Sequence, residues 1–382
     1  MIYLDNAATS FPKPEGVYVA LDRFARESLA NPGRAGHKMA LAAEHTLDDA
    51  RHRLNRFFNG RDPDRVIFTL NTTDALNMAI KGTLNEGDHA ITTDLEHNSV
   101  SRPLVAMAES GRITLTRVHA DGGGTVDPEA IRKALTPKTR LVVITHASNV
   151  LGTVQPIAEI AKIVREHSDA LFLVDAAQTA GVIPIDLQET PIDLLALPGH
   201  KSLFGPTGTG ALIVGGRAQP RPWREGGTGG DSSTPTQPPL YPYYLEGGTP
   251  NVLGIAGLVA GLDFVEERTP AAILEHELEL CELFREKVLA LGGFTFLGHD
   301  DSTRRVGTIS FFSEVLPAPD LGAILDQAFN IAIRPGLHCS PYVHRAAGSF
   351  PEGLVRVSPG PFNTTDDIMQ LVEALKEITG GM

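Results

Sequence analysis

The chain has 382 residues, more than a single core of about 150 residues organises, so two or three coupled lobes are expected. Hydrophobic residues make up 42% and charged residues 21%, and a net charge of −13 without a Lys/Arg-rich block argues against a nucleic-acid or anionic-membrane surface. Val252 to Leu262 is too short for a membrane span, MIYLDNAATS lacks a signal-peptide pattern, and two cysteines make no disulfide framework, so a cytoplasmic enzyme is expected.

In chain order, Val66–Thr69, His89–Thr92, Ile113–Val118, Leu141–Thr145 and Leu171–Val174 are short apolar runs, followed by Leu194–Leu197 and Ala211–Val214. Continuous rather than alternating apolarity predicts strands covered on both faces, hence an α/β fold with a mainly parallel sheet wrapped by helices. Pro128–Leu135 and Pro156–Glu166 read as intervening helices, with Pro156 at the first helical position. Residues 217–250, rich in Pro, Gly, Ser and Thr, read as a functional loop or a linker. Asn251–Glu267 and Ala271–Leu291 read as helices, Val306–Phe312 as a strand, Asp320–Gln327 as a helix, then Ile331–Ile333 as an apolar run and Leu354–Val357 as a strand. A last helix is capped by Thr364 or Thr365 and places Ile368, Leu371, Val372, Leu375 and Ile378 on one face. A smaller α+β lobe is expected from about residue 257 onward.

Lys201, in Pro198-Gly199-His200-Lys201, stands between two apolar runs and ahead of the glycine-rich Gly205–Gly210. A lysine between strands is usually a solvated charge; held inside a cleft, its amine loses basicity and can form a Schiff base. Asp175 ends an apolar run, where an acid is ordinarily a helix cap; beside Lys201 it would also suit a protonated ring nitrogen of pyridoxal 5'-phosphate. Asn71-Thr72-Thr73-Asp74 opens a helix whose N–H groups and hydroxyls suit a phosphate, and they are equally those of an ordinary cap. His97 is either a loop histidine or an aromatic plate over the cofactor ring.

Tyr3-Leu4-Asp5-Asn6-Ala7-Ala8-Thr9, Glu96-His97, Ser148-Asn149-Val150-Leu151-Gly152-Thr153 and Asp175-Ala176-Ala177-Gln178 continue in order with Gly199-His200-Lys201, Gly248-Thr249-Pro250-Asn251 and Arg334-Pro335-Gly336-Leu337-His338-Cys339. Together they resemble the cysteine desulfurases and selenocysteine lyases of the class-V aminotransferase fold, over nearly the whole chain. The resemblance implies a PLP-dependent fold type I architecture with a seven-stranded, mainly parallel sheet. It divides the chain into a large cofactor-binding domain, 15–256, and a small α+β domain, 1–14 with 257–382. Lys201 would carry pyridoxal 5'-phosphate covalently, Asp175 would face the pyridinium nitrogen, His97 would stack on the ring and take a catalytic part in moving protons, and Gln178 would reach the phenolic oxygen. Thr72, Thr73 and His200 would hold the phosphate, with Thr249 entering from a second subunit, so a homodimer is implied. Asn149 and Arg356 would bind the substrate carboxylate.

Cys281, in a helical stretch, reads as a small buried hydrophobe. Cys339 sits among Gly336, His338, Ser340 and Pro341, where a thiol beside a histidine and an arginine suits a nucleophile that takes sulfur from L-cysteine as a persulfide. The short interval to Arg356 resembles the short-loop subgroup, which implies that a sulfur-acceptor protein comes to the enzyme and that turnover is slow without one. The alternatives are a selenocysteine lyase, another C–S lyase or aminotransferase, and a catalytically weak sulfur carrier or scaffold. Pro198, Ser202 and Leu337 depart from the family pattern and bear on substrate preference more than on the cofactor.

Overall fold

The computed structural model describes residues 1–33, 36–229 and 233–380. In chain order the elements are β1 (Ile2–Tyr3), α1 (Glu15–Glu27), α2 (Lys38–Phe57), β2 (Val66–Thr69), α3 (Thr72–Thr83), β3 (His89–Thr93), α4 (Asn98–Glu109) and β4 (Thr114–Val118). Next come α5 (Pro128–Ala134), β5 (Thr139–Thr145), α6 (Ile157–His167), β6 (Leu171–Asp175), β7 (Leu194–Pro198) and β8 (Gly210–Val214). The remainder comprises α7 (Val252–Arg268), α8 (Pro270–Leu289), β9 (Phe294–Leu297), β10 (Ile309–Ser313) and α9 (Ala318–Phe329), then β11 (Ile331–Ala332), β12 (Arg334–Gly336), α10 (Pro341–Ala346), β13 (Leu354–Val357) and α11 (Thr365–Gly380).

The seven apolar runs form one sheet in the order β2-β8-β7-β6-β5-β3-β4, parallel from β7 to β4, with β8 antiparallel to both neighbours. Val, Ile and Leu fill its strands because both faces are covered, giving one core on each side. The path runs outward from β3 to β4 and then returns to β5, β6 and β7. This places a topological switch between β3 and β5, where open α/β sheets bind ligands at the carboxyl ends of their strands.

The last third builds an antiparallel sheet, β12-β13-β10-β9, with its own core of Leu280, Phe284, Phe311, Val355 and the inward face of α11. Thr364 caps α11, its hydroxyl accepting from the Asp367 N–H while the Asp367 carboxylate accepts from the Thr364 N–H. The chain start returns here: β1 pairs parallel with β11, and Leu4 lies in this core.

Two expectations are corrected. Pro156 is the N-cap of α6 rather than its first residue. The strand expected from Val306 begins at Ile309, because the Val306 N–H bonds the Gly152 carbonyl and belongs to a loop contact. Residues 217–229 and 233–250 contain neither helix nor strand, and of the two readings the loop holds: Glu246 takes a paired contact from Arg51 and accepts the Phe68 N–H, pinning the segment to edge strand β2. Among the described residues no helix is long and apolar enough to cross a membrane.

Candidate active site

The loops leaving the carboxyl ends of β2, β3, β5, β6 and β7 meet the turn after β12 around a cavity of about 250 Å³. Lys201 is held there by a tight loop after β7. Gly199 donates to the Thr209 carbonyl, Gly205 to the Gly199 carbonyl and Phe204 to the Lys201 carbonyl. Gly181, at φ +104°, packs under this loop so closely that any Cβ would overlap the Ser202 carbonyl. Burial lowers the Lys201 amine to about 8; Arg356 pushes the same way and Asp175 opposes.

Asp175 closes β6 and is 2% exposed. One carboxyl oxygen accepts from the Ala177 N–H at 2.9 Å, and the other is left to the cavity. Burial raises the acid to about 6, against the pull of that hydrogen bond and of Lys201. An amine made less basic and an acid made weaker, on neighbouring strand ends, are an arrangement typical of catalytic clefts.

His97 caps α4: its Nδ1 accepts the Ser99 N–H at 3.1 Å and lies 2.9 Å from the Ser99 hydroxyl, so the ring proton sits on Nε2. Burial, then Lys201 and nearby arginines, lower His97 to about 4 and keep it neutral. Ser99 in turn lies 2.7 Å from the Thr73 hydroxyl, which joins the first turns of α3 and α4. Asn71 caps α3 through the Asp74 N–H, and Thr72 and Thr73 line the cavity at the start of that helix. His200 Nδ1 lies 3.1 Å from the Thr9 hydroxyl, and burial ahead of Lys201 and Lys13 lowers it to about 4. Gln178 donates to the Ala7 carbonyl at 3.1 Å, drawing the N-terminal segment onto the rim.

The opposite wall belongs to the smaller sheet. Arg356, on β13, is 1% exposed; it donates to the Asn149 carbonyl at 2.9 Å and to Asp5 at 2.6 Å, while its Nε has no partner. Asn149 donates through Nδ2 to the His338 carbonyl at 2.8 Å and accepts from the Ser340 hydroxyl at 2.7 Å. Cys339 is exposed, and Arg334 Nη2 lies 3.7 Å from its sulfur. The sequence placed a histidine beside this thiol, but the His338 ring turns instead to the Arg334 carbonyl at 2.9 Å. Both His338 (φ +50°) and Cys339 (φ +58°) are left-handed, at roughly 1–2 kcal/mol each for a residue with a Cβ. The turn is fixed from two sides, by Asn149 on the His338 carbonyl and by the Asn98 N–H on the Cys339 carbonyl at 2.7 Å.

Lys201, Asp175, His97, Gln178, Thr72, Thr73, His200, Asn149, Arg356 and Cys339 thus line one cavity. Thr249 does not. It lines a separate cavity of about 500 Å³ with Arg51, Tyr241 and Glu246. Cys281 is buried in the smaller core, and burial pushes its thiol up to about 12. A larger hollow of about 800 Å³ between α1, α2 and α7 contains none of the residues named as candidates for the chemistry. Among the described residues no group of side chains could hold a metal ion.

Two residues escaped sequence reasoning. Asp5, the counter-ion of Arg356, was visible only as a member of a motif, because its partner stands at the far end of the chain. Glu96 is fully buried: Oε1 accepts from the Thr93 hydroxyl and the Thr145 N–H, and Oε2 has no partner. Burial, reinforced by Asp175, pushes Glu96 up to about 8. Its available signal was the Glu96-His97 pair, three residues beyond a buried strand.

Residues 2–371 match the family model described as aminotransferase class-V. The chain is 36% identical to a probable cysteine desulfurase of Methanothermobacter thermautotrophicus, over 99% of this chain and 95% of the relative. It is 35% identical to another from Halalkalibacterium halodurans, over 99% and 93%. Among solved structures it resembles an apo cysteine desulfurase from Thermococcus onnurineus NA1, with TM-score 0.93, 30% identity and coverage of 100% and 95%. The cysteine desulfurase CsdA of Escherichia coli is similar at TM-score 0.88 and 27% identity, with coverage of 100% and 95%.

Proposed function

Because the chain belongs to the class-V aminotransferase family, in its cysteine desulfurase branch, we propose that it converts L-cysteine to L-alanine and takes up the sulfur as a persulfide on Cys339. The observation that carries this reading is one cavity shared by the Lys201 amine, the Asp175 carboxyl and the Cys339 thiol.

Pyridoxal 5'-phosphate suits the residues present: a buried acid with a free oxygen, an amine of lowered basicity, a neutral imidazole, and hydroxyls at a helix start. When bound, it supplies an electron sink for bond breaking at the substrate's Cα. In our reading Lys201 holds the cofactor through its amine, Asp175 stabilises the ring-nitrogen proton, and His97 covers the ring. Gln178 hydrogen-bonds the phenolic oxygen, while Thr72, Thr73 and His200 take the phosphate, joined by Thr249 from a second copy in a homodimer. In the division we propose, residues 15–256 carry these groups, and residues 1–14 with the chain from 257 onward bring Arg356 and Cys339 against them.

The buried, unpartnered Arg356 Nε is a donor waiting for a carboxylate, and Asp5 keeps the guanidinium oriented while Asn149 borders the same spot. Lys201, once released, has a basicity suited to taking the Cα proton and returning it. Cys339, as thiolate, attacks the substrate sulfur, so the C–S bond breaks and the sulfur stays on the enzyme. Its exposure lets an incoming acceptor thiol remove that sulfur. Purified protein given L-cysteine and a thiol reductant should form alanine and sulfide in equal amounts. Neither product, with cofactor bound, overturns the reading.

A further inference from the structure

The residues on either side of Cys339 hold a second, buried set of imidazoles that the chemistry above does not use. His338 and His344 are 3% and 0% exposed, with rings stacked at 5.5 Å and 20°. The chain of contacts has one direction. The Arg334 carbonyl only accepts, so His338 donates to it through Nε2 and its Nδ1 is bare. That Nδ1 lies 3.4 Å from His344 Nε2, which must therefore carry the proton. His344 Nδ1 is then the acceptor, and the Ser349 hydroxyl at 2.9 Å is its donor. Ser349 is fixed in turn, its N–H donating to the His344 carbonyl and its carbonyl accepting the Gly353 N–H.

This chain ends on the residue whose carbonyl Asn149 grips, inside the left-handed turn that carries the thiol. We propose that His344 is a positioning residue for Cys339: through His338 it locks the strained turn in the conformation that presents the thiol to the cavity. His338 fits only as a neutral ring: a second proton, on Nδ1, would face the His344 Nε2–H, and the charges near it, Arg334 and Arg356, are both positive. Burial lowers His338 to about 3 and His344 to about 4, so the lock is intact at neutral pH.

The inference rests on the desulfurase reading and is tested on the holoenzyme with three readouts: kcat and KM for L-cysteine, the absorbance of the bound cofactor, and the rate at which iodoacetamide alkylates Cys339, followed by peptide mass spectrometry. His344→Phe keeps an aromatic ring and removes the ring's hydrogen bonds, to His338, Ser349 and the Leu337 backbone; His344→Gln can restore a donor and an acceptor. The Phe variant should lose about 10- to 100-fold in kcat, with KM and cofactor absorbance unchanged and the alkylation rate altered several-fold. The Gln variant should recover part of both. Ser349→Ala, a milder change at a half-buried position, should move kcat and alkylation the same way by less. Wild-type kcat and alkylation in the Phe and Ala variants overturn the proposal. So does a parallel loss of cofactor absorbance and KM, which would mark a general structural role. If the wild-type protein makes no alanine, the desulfurase reading fails, while the alkylation rates still decide whether His344 sets the turn.

Discussion

Asp175→Asn separates what the cleft needs for chemistry from what it needs for stability. The amide is isosteric, and its oxygen keeps the hydrogen bond from Ala177 at 2.9 Å. What disappears is a buried charge. Burial raises this acid from 3.8 to about 6, so the unfolded chain gives up its proton before the folded one does. Across that window the folded state binds more protons, and stability falls as pH rises. The penalty is complete above about 6, where a shift of that size corresponds to about 3 kcal/mol; at pH 5 roughly half of it remains. Cofactor-free Asp175→Asn should therefore be more stable than the wild type by about 2–3 kcal/mol at pH 8, the lower figure allowing for Lys201 losing its counter-charge. The advantage should shrink towards pH 5. The same variant should lose at least about 100-fold in desulfuration, because nothing then stabilises the proton on the cofactor ring. Urea unfolding at the two pH values, read by tryptophan fluorescence and circular dichroism, measures the first effect, and alanine release measures the second. An Asn variant no more stable than wild type at pH 8, or an advantage independent of pH, would refute the reasoning that Asp175 is a strained acid.

The thiol and the other site groups give further tests. Cys339→Ala should abolish alanine and sulfide formation and leave cofactor absorbance intact; unchanged turnover removes Cys339 from the reaction. Borohydride reduction of the holoprotein followed by peptide mapping should place the cofactor label on Lys201, and a label on another lysine contradicts the assignment. Arg356→Lys keeps the charge but cannot reproduce the contacts to Asp5 and Asn149 together with a free donor, so KM for L-cysteine should rise about 10- to 100-fold. A Thr249 contribution in trans is checked by mixing: Lys201→Ala and Thr249→Ala chains, each weak at limiting cofactor, should recover about a quarter of wild-type activity when hybrid dimers form. No recovery in verified hybrids places Thr249 outside the site.

The central sheet was legible because its strands, edge strand β4 apart, are buried on both faces: a run such as Leu171–Val174 needs no alternation to be recognised, and the structure extends it by one residue. Helices α1 and α2 were not. The buried stripe of α2 is largely alanine, with Ala40, Ala43 and Ala50 beside Leu47 and Leu54, and alanine carries little periodic contrast. Strand β9 escaped for another reason: only Phe294 of its four residues is buried. Within the site, each residue was readable from its own motif, whereas its partner was not. Nothing near Asp5 announces Arg356, and the spelling His338-Cys339 suggests a contact that ring orientation denies.

The pairing of β1 with β11, together with the Asp5–Arg356 contact, has a consequence for biosynthesis. Residues 2–5 wait for partners made more than three hundred residues later. A nascent chain already carries its amine and its acid well before the arginine and the thiol exist to complete them. Closure of that long loop comes late in folding, so the cleft is completed only after Arg356 has been made. Bulk fused directly to Ile2 would press on the same closure, and such fusions should impair substrate capture before they impair cofactor uptake.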